Sequence, residues 1–248
     1  MSKHFELMQQ MEEEQASGAS TEPKSTLRSD LPGALTRDRR PWASLETQRI
    51  VQQVFLPQTS VPPRAAVFAG VDHGSGCSHV CASVAEALAR NSQRLVCLVD
   101  ANFYAPALPQ LLGVTNRQGL SDALLRHGPI DSYTRQVAEE RLFLLSSGAP
   151  VPDPSSLLAS GRLRERMEEL RERFDYVIVD APPLTLYPDA LALGQLTDGV
   201  VMVLEAAATR RDAAAASAAN MRSLNIPILA AVLNKRDFPM PQVIYRRL

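Results

Sequence analysis

The sequence carries almost no net charge, with 26 Lys and Arg against 27 Asp and Glu. No bulk attraction to nucleic acid or to an anionic membrane follows, so nucleic acid is not an expected partner. No apolar run approaches the ~20 residues that span a bilayer, and the N-terminus is too polar for a secretory leader. Both absences predict a soluble, cytoplasmic chain unless a partner recruits it. Three cysteines, Cys77, Cys81 and Cys97, make no even framework. They lie in or beside apolar or small-residue runs, which suits reduced thiols in a cytosol. There is no internal repeat. What remains is 45% hydrophobic content over 248 residues, enough for one sizeable α/β core with extensions.

Three divisions are predicted: a helical extension and linker over 1–60, a main domain over 61–238 and a short tail over 239–248. Residues 1–15 read as a short helix whose thin apolar stripe is marginal alone. Residues 16–40 are rich in Ser, Thr, Pro, Gly and charge and read as linker. Residues 42–55 read as a second helix, followed by Pro57, Pro62 and Pro63. Beyond them, apolar runs at 65–69, 95–99, 142–146, 176–179, 199–204 and 228–233 predict strands. The runs are continuous rather than alternating, as in strands covered on both faces. Helical patterns at 78–90, 120–126, 154–174, 189–196 and 211–224 fall between them. The alternation predicts an α/β fold, a doubly wound, mostly parallel sheet that binds its ligand beyond the carboxyl ends of the strands.

Three of those ends carry polar groups. After the first strand comes Gly70-Val71-Asp72-His73-Gly74-Ser75-Gly76-Cys77-Ser78-His79, running into a small-residue helix. Strand, glycine loop and helix follow in the order of a P-loop, whose backbone N–H groups and helix N-terminus cradle phosphate. The lysine of such a loop is missing, and Cys77 occupies its place. Ser78 stands where a hydroxyl would ligate Mg²⁺. The second end is Val99-Asp100-Ala101-Asn102 and the third Val179-Asp180-Ala181-Pro182-Pro183; an acid there can hold a metal-bound water or polarise a nucleophile. Taken singly, each feature is equally a tight turn or a helix cap; their ordered occurrence makes the constellation specific. His73, Cys77, His79 and Cys81 crowd nine residues, but their intervals do not suit a structural zinc site. Asn234-Lys235-Arg236-Asp237 spells a guanine-recognition pattern, although no glycine-bearing switch follows Asp180.

These segments together resemble the bacterial tyrosine kinases, P-loop autokinases of capsular and exopolysaccharide export related to the MinD-type ATPases. Gly74 to Ser78 correspond to the Walker A loop, Val99 to Pro106 to the second acidic motif and Phe174 to Pro183 to Walker B. Gly119-Leu120-Ser121-Asp122 and the Pro-rich loop from Gly148 to Leu158 match two further family segments. Val232 to Lys235 matches the strand end that borders the base. The resemblance implies a P-loop NTPase fold of the MinD-like class. Its expected cofactors are ATP and Mg²⁺, bound through Gly74, Ser75, Gly76, Cys77, Ser78, His79 and Asn234. It implies Mg²⁺ at Ser78 and Asp180, catalytic roles for Asp100 and Asp180, and Tyr245 as phospho-acceptor. The implied partner is a membrane polysaccharide co-polymerase, or chain-length determinant, at the inner membrane. Glu46-x-x-Arg49-x-x-Gln52 retains part of the family's oligomerisation motif, which keeps a homo-oligomer open.

The departures are as informative. A thiol at Cys77 carries no fixed charge, so the main electrostatic stabiliser of phosphoryl transfer is gone. Asn102 replaces an aspartate, Tyr104 an arginine, and the tyrosine-rich tail has shrunk to Tyr245. Arg64, Arg94, Arg210 and Arg211 are the cations that by type could replace the lysine. Tyr133 and Tyr187 read as packing or loop residues. Two alternatives follow: a non-catalytic regulatory scaffold of the same system, and a MinD/ParA-type positioning ATPase.

Overall fold

The computed structural model describes residues 41–56, 61–137 and 140–236, with the backbone alone at 41–44. The predicted helix over 1–15, the linker over 16–40 and Tyr245 lie outside them.

Among the described residues, seven strands form one sheet: β1 (Ala65–Gly70), β2 (Val96–Asp100), β3 (Arg135–Gln136), β4 (Leu142–Leu145), β5 (Tyr176–Ala181), β6 (Val200–Glu205) and β7 (Ile228–Asn234). Their order is β3-β4-β2-β5-β1-β6-β7. All neighbours are parallel except β3, which pairs antiparallel with β4 at the edge. The helices are α1 (Pro41–Ile50), α2 (Cys77–Ser92), α3 (Leu108–Leu111), α4 (Leu120–Leu125), α5 (Pro154–Leu158), α6 (Gly161–Arg173), α7 (Asp189–Gly194) and α8 (Arg211–Ser223).

The continuous apolar runs have a direct structural meaning. Side chains alternate across a strand, so a run buried on both faces feeds two cores. Ala65, Val67, Ala69, Cys97, Val99, Val177 and Val179 pack with Leu120, Leu163, Met167, Leu170, Leu193 and Met221 on one side. Ala66, Phe68, Val96, Leu98, Tyr176 and Ile178 pack with Cys81, Val84, Ala85 and Leu88 of α2 on the other. The fold is the doubly wound, mostly parallel α/β sheet that the alternation predicts.

Several local expectations change. The helix expected over 42–55 becomes α1 followed by a wider π-helical turn over Val51–Phe55. That turn buries Val51, Val54 and Phe55, with Phe55 stacked on Phe68 at 6.5 Å and edge-on to Tyr176 at 6.0 Å. The helix expected over 154–174 is two helices. Ser160 adopts an extended conformation between them (φ −68°, ψ 146°), and its hydroxyl turns back to donate to the Leu157 carbonyl at 2.6 Å. The short α3 and the two-residue β3 carry too little pattern to read. The family-like segment at Gly119 is structural: Leu120 and Ser121 donate backbone N–H groups to the Ser146 and Ser147 carbonyls, and the Ser121 hydroxyl donates to the Ala149 carbonyl at 2.9 Å. It pins α4 to the end of β4.

Candidate functional site

The carboxyl ends of β2, β5, β1, β6 and β7 lie side by side, and the candidate residues collect there. From β1 the chain enters the glycine loop and then α2, whose N-terminal flank is Gly76 in the left-handed region (φ 79°). Gly74 is also left-handed, at φ 84°. A side chain at Gly74 would meet open space, so only backbone conformation demands glycine there; one at Gly76 would run into the Asn234 amide. Ser75 is buried. His73 and His79 are exposed while Cys81 is fully buried, and no metal-holding group of three or more His, Cys, Asp or Glu side chains exists among the described residues.

Asp180 is the penultimate residue of β5. It is Cα partner to Phe68 of β1 and to Asp100 of β2, and it is entirely buried. Neither of its carboxylate oxygens has a hydrogen-bond partner in the described structure. Burial pushes its pKa from an ordinary 3.8 to about 6, while the Ser78 hydroxyl and the Cys77 thiol pull it back. Those two groups come close without completing a bond. A buried carboxylate with unused lone pairs beside a hydroxyl is a donor set that fits a hard divalent cation. Cys77 keeps some surface as a residue, but its thiol is turned inward: burial, then the negative charge of Asp180, raises its pKa well above the ordinary thiol value. The thiol is therefore neutral and unreactive at physiological pH.

Asp100 is buried too, but its oxygens are engaged: Oδ1 accepts from Asn102 N and Oδ2 from Leu108 N, each at 3.2 Å. Burial and the neighbouring Asp180 raise its pKa to about 8 against those bonds. Asn102 closes its own turn by accepting from Ala105 N at 3.2 Å. Tyr104 is anchored on α5 and α7. Its hydroxyl donates to Asp189 Oδ2 at 2.8 Å and meets Ser155 Oγ at 2.9 Å. Its ring stacks on Tyr187 at 3.7 Å. Tyr187 is thus a packing residue, as is Tyr133, buried with its hydroxyl on the His127 carbonyl.

Two of the four candidate cations are at the wrong edge. Arg64 and Arg94 precede β1 and β2, and they bind the Asp175 carbonyl and carboxylate respectively, at the amino ends of the strands. Arg210 and Arg211 are exposed at the start of α8. The cation that does reach the loop was not among them. Lys235 Nζ donates to the Gly74 carbonyl at 2.6 Å and pairs with Glu205 Oε2 at 3.2 Å. Beside it, Asn234 Nδ2 donates to the Ser75 carbonyl at 2.8 Å. The only sequence signal for this was the placement of Asn-Lys at the end of the last strand.

The family model described as ParA, NUBPL iron-transfer P-loop NTPase, matches residues 65–245. The chain is similar to the tyrosine-protein kinase YwqD of Bacillus subtilis strain 168, 30% identical over 161 residues, 65% of this chain and 68% of that protein. It is similar to the tyrosine-protein kinase wzc of Salmonella typhi, 30% identical over 165 residues, 66% of this chain but 23% of that protein's length. Among solved structures it resembles the chimerical protein CapA2B2, with a TM-score of 0.74 at 24% identity, covering 82% of this chain and 88% of that one. By the extent of these matches, and by a glycine loop flanked by two buried strand-end aspartates, the chain belongs to the ParA-type P-loop NTPases, among the relatives of the bacterial tyrosine kinases.

Proposed function

We propose that this chain is a nucleotide-binding regulatory member of the tyrosine-kinase group that serves capsular or exopolysaccharide assembly, with phosphoryl transfer disabled at Cys77. It docks on the cytoplasmic face of a membrane co-polymerase and influences chain length or export. No helix among the described residues is long and apolar enough to cross a membrane, so membrane association would come through that partner.

One observation carries the reading: a buried, unpartnered Asp180 carboxylate beside Ser78, at the foot of a loop that holds a neutral thiol in place of lysine. The metal-binding half of the machinery is intact and the charge-stabilising half is missing. Gly74, Ser75 and Gly76 bind the phosphates through backbone N–H groups, aided by the N-terminus of α2. Ser78 and Asp180 hold Mg²⁺, which neutralises phosphate charge when bound. Asp100 is a poor base, since both of its oxygens already accept backbone bonds. Asn234 borders the nucleotide from β7.

Calorimetric titration with Mg-ATP, Mg-ADP and Mg-GTP, paired with an autophosphorylation assay, tests this. Adenine-nucleotide binding without transfer is the expected result, with binding strengthened in Cys77→Lys. Autophosphorylation that disappears in Asp100→Ala would return the protein to the active kinases, and its loss in Tyr245→Phe would then identify the acceptor. Absence of nucleotide binding, restored by Cys77→Lys, would leave a scaffold with a decayed site.

A further inference from the structure

Lys235 and Asn234 grip two consecutive peptide groups of the glycine loop from outside. Lys235 holds the carbonyl of the Gly74–Ser75 peptide and Asn234 that of the Ser75–Gly76 peptide. A trans peptide points its C=O and N–H in opposite directions, and the described chain has no cis peptide. With both carbonyls drawn toward β7, the N–H groups of Ser75 and Gly76 are turned to the other side, into the loop where phosphate binds. The grip is tight. A side chain at Gly76 would collide with the Asn234 amide and come within 3.8 Å of Lys235 Cε. Lys235 adopts a left-handed backbone conformation (φ 54°) that a lysine seldom takes, and such strain persists where the surroundings or function require it.

We propose that Lys235 supplies from β7 the positive charge that position 77 has lost. The inference rests on the nucleotide reading above. An ammonium on the Gly74 carbonyl polarises that peptide, so the Ser75 N–H becomes a stronger donor to an anion. Its charge also lies just behind the loop, where a bound phosphate feels it. Lys235 does not reach the reacting atoms and cannot follow a phosphoryl group through transfer. It therefore supports binding and not catalysis, a positioning residue acting through the loop. Glu205, at the end of β6, is its counter-ion and tempers its charge.

That counter-ion separates a charge from a mere clamp. If Lys235 acts through its charge, Glu205→Gln unmasks it and Mg-ADP binds at least as tightly as before; if the Glu205–Lys235–Gly74 chain is only a brace, Glu205→Gln weakens binding as Lys235→Gln does. The experiment is calorimetric titration of Mg-ADP into the full-length natural protein, Lys235→Gln and Glu205→Gln at two salt concentrations, with melting curves to verify folding. The expected result is an affinity loss of about tenfold in Lys235→Gln, with a shallower salt dependence, and no loss in Glu205→Gln. In a Cys77→Lys background the Lys235→Gln loss should shrink, because the loop then has its own cation. Unchanged affinity in Lys235→Gln, or parallel losses in the two variants, would overturn the proposal while leaving the nucleotide reading intact. If the natural protein binds no nucleotide, that reading fails and this inference falls with it.

Discussion

Replacing Asp180 by asparagine should stabilise the metal-free protein at alkaline pH and leave it unchanged at acid pH. The side chain is entirely buried and neither oxygen finds a donor, so ionising it in the folded state is costly. Its carboxyl is pushed from 3.8 to about 6, chiefly by burial. At about 1.36 kcal/mol per pKa unit, the rise corresponds to about 3 kcal/mol. The raised pKa sets the direction. Between these two values the folded state keeps a proton that the unfolded chain has released, so stability declines as pH rises through the window and the penalty is complete above about 6. Asparagine has the same shape and never ionises. Near pH 3, below both values, the carboxyl is neutral in the folded and the unfolded chain, and the two proteins should unfold alike. Near pH 8 the variant should be more stable by about 3 kcal/mol, or roughly 6–12 °C in melting temperature for a chain of this size. The removal of a negative neighbour also eases the ionisation of Asp100, which adds to the gain in the same direction. Urea unfolding in the presence of a chelator, at the two pH values, reads the difference. Equal effects at both, or a loss at alkaline pH, would refute the picture of an uncompensated buried carboxylate. Added Mg-ADP should reverse the ranking, stabilising the natural protein and not the variant.

Three further outcomes are expected. Gly76→Ala forces a left-handed residue (φ 79°) to carry a side chain directed at the Asn234 amide; it should cost about 1–3 kcal/mol and weaken Mg-ADP binding, read by melting and calorimetry. Arg166, buried beneath α4, donates to the Ala123, Gly128 and Arg126 carbonyls at 2.9, 2.8 and 3.0 Å; Arg166→Ala strands all three and should cost about 3–5 kcal/mol in urea unfolding. Tyr104→Phe keeps the stack on Tyr187 but removes the donor to buried Asp189, which should cost about 1–3 kcal/mol with nucleotide affinity unchanged.

The layers and the locus of chemistry are legible in the order of residues alone. Continuous apolar runs such as Val177-Ile178-Val179 mean strands covered on both faces, because side-chain direction alternates with every residue. Glycines at 74 and 76 between a strand and a helix mean a loop open to phosphate, and a cysteine at 77 means no cation there. All of this is local, written within a dozen residues. Long-range packing sets what no local pattern encodes. The crossovers seat β5 between β1 and β2, which brings Asp100 beside Asp180; burial raises both carboxyls, and the charge of Asp180 raises Asp100 further. They also send Arg64 and Arg94 to the far edge and leave Tyr104 on Asp189, 85 residues away. Lys235 comes to rest on the Gly74 carbonyl from 161 residues along the chain. Its charge depends on residue type alone, but its place depends on β7 lying next to β6 and on every connection between.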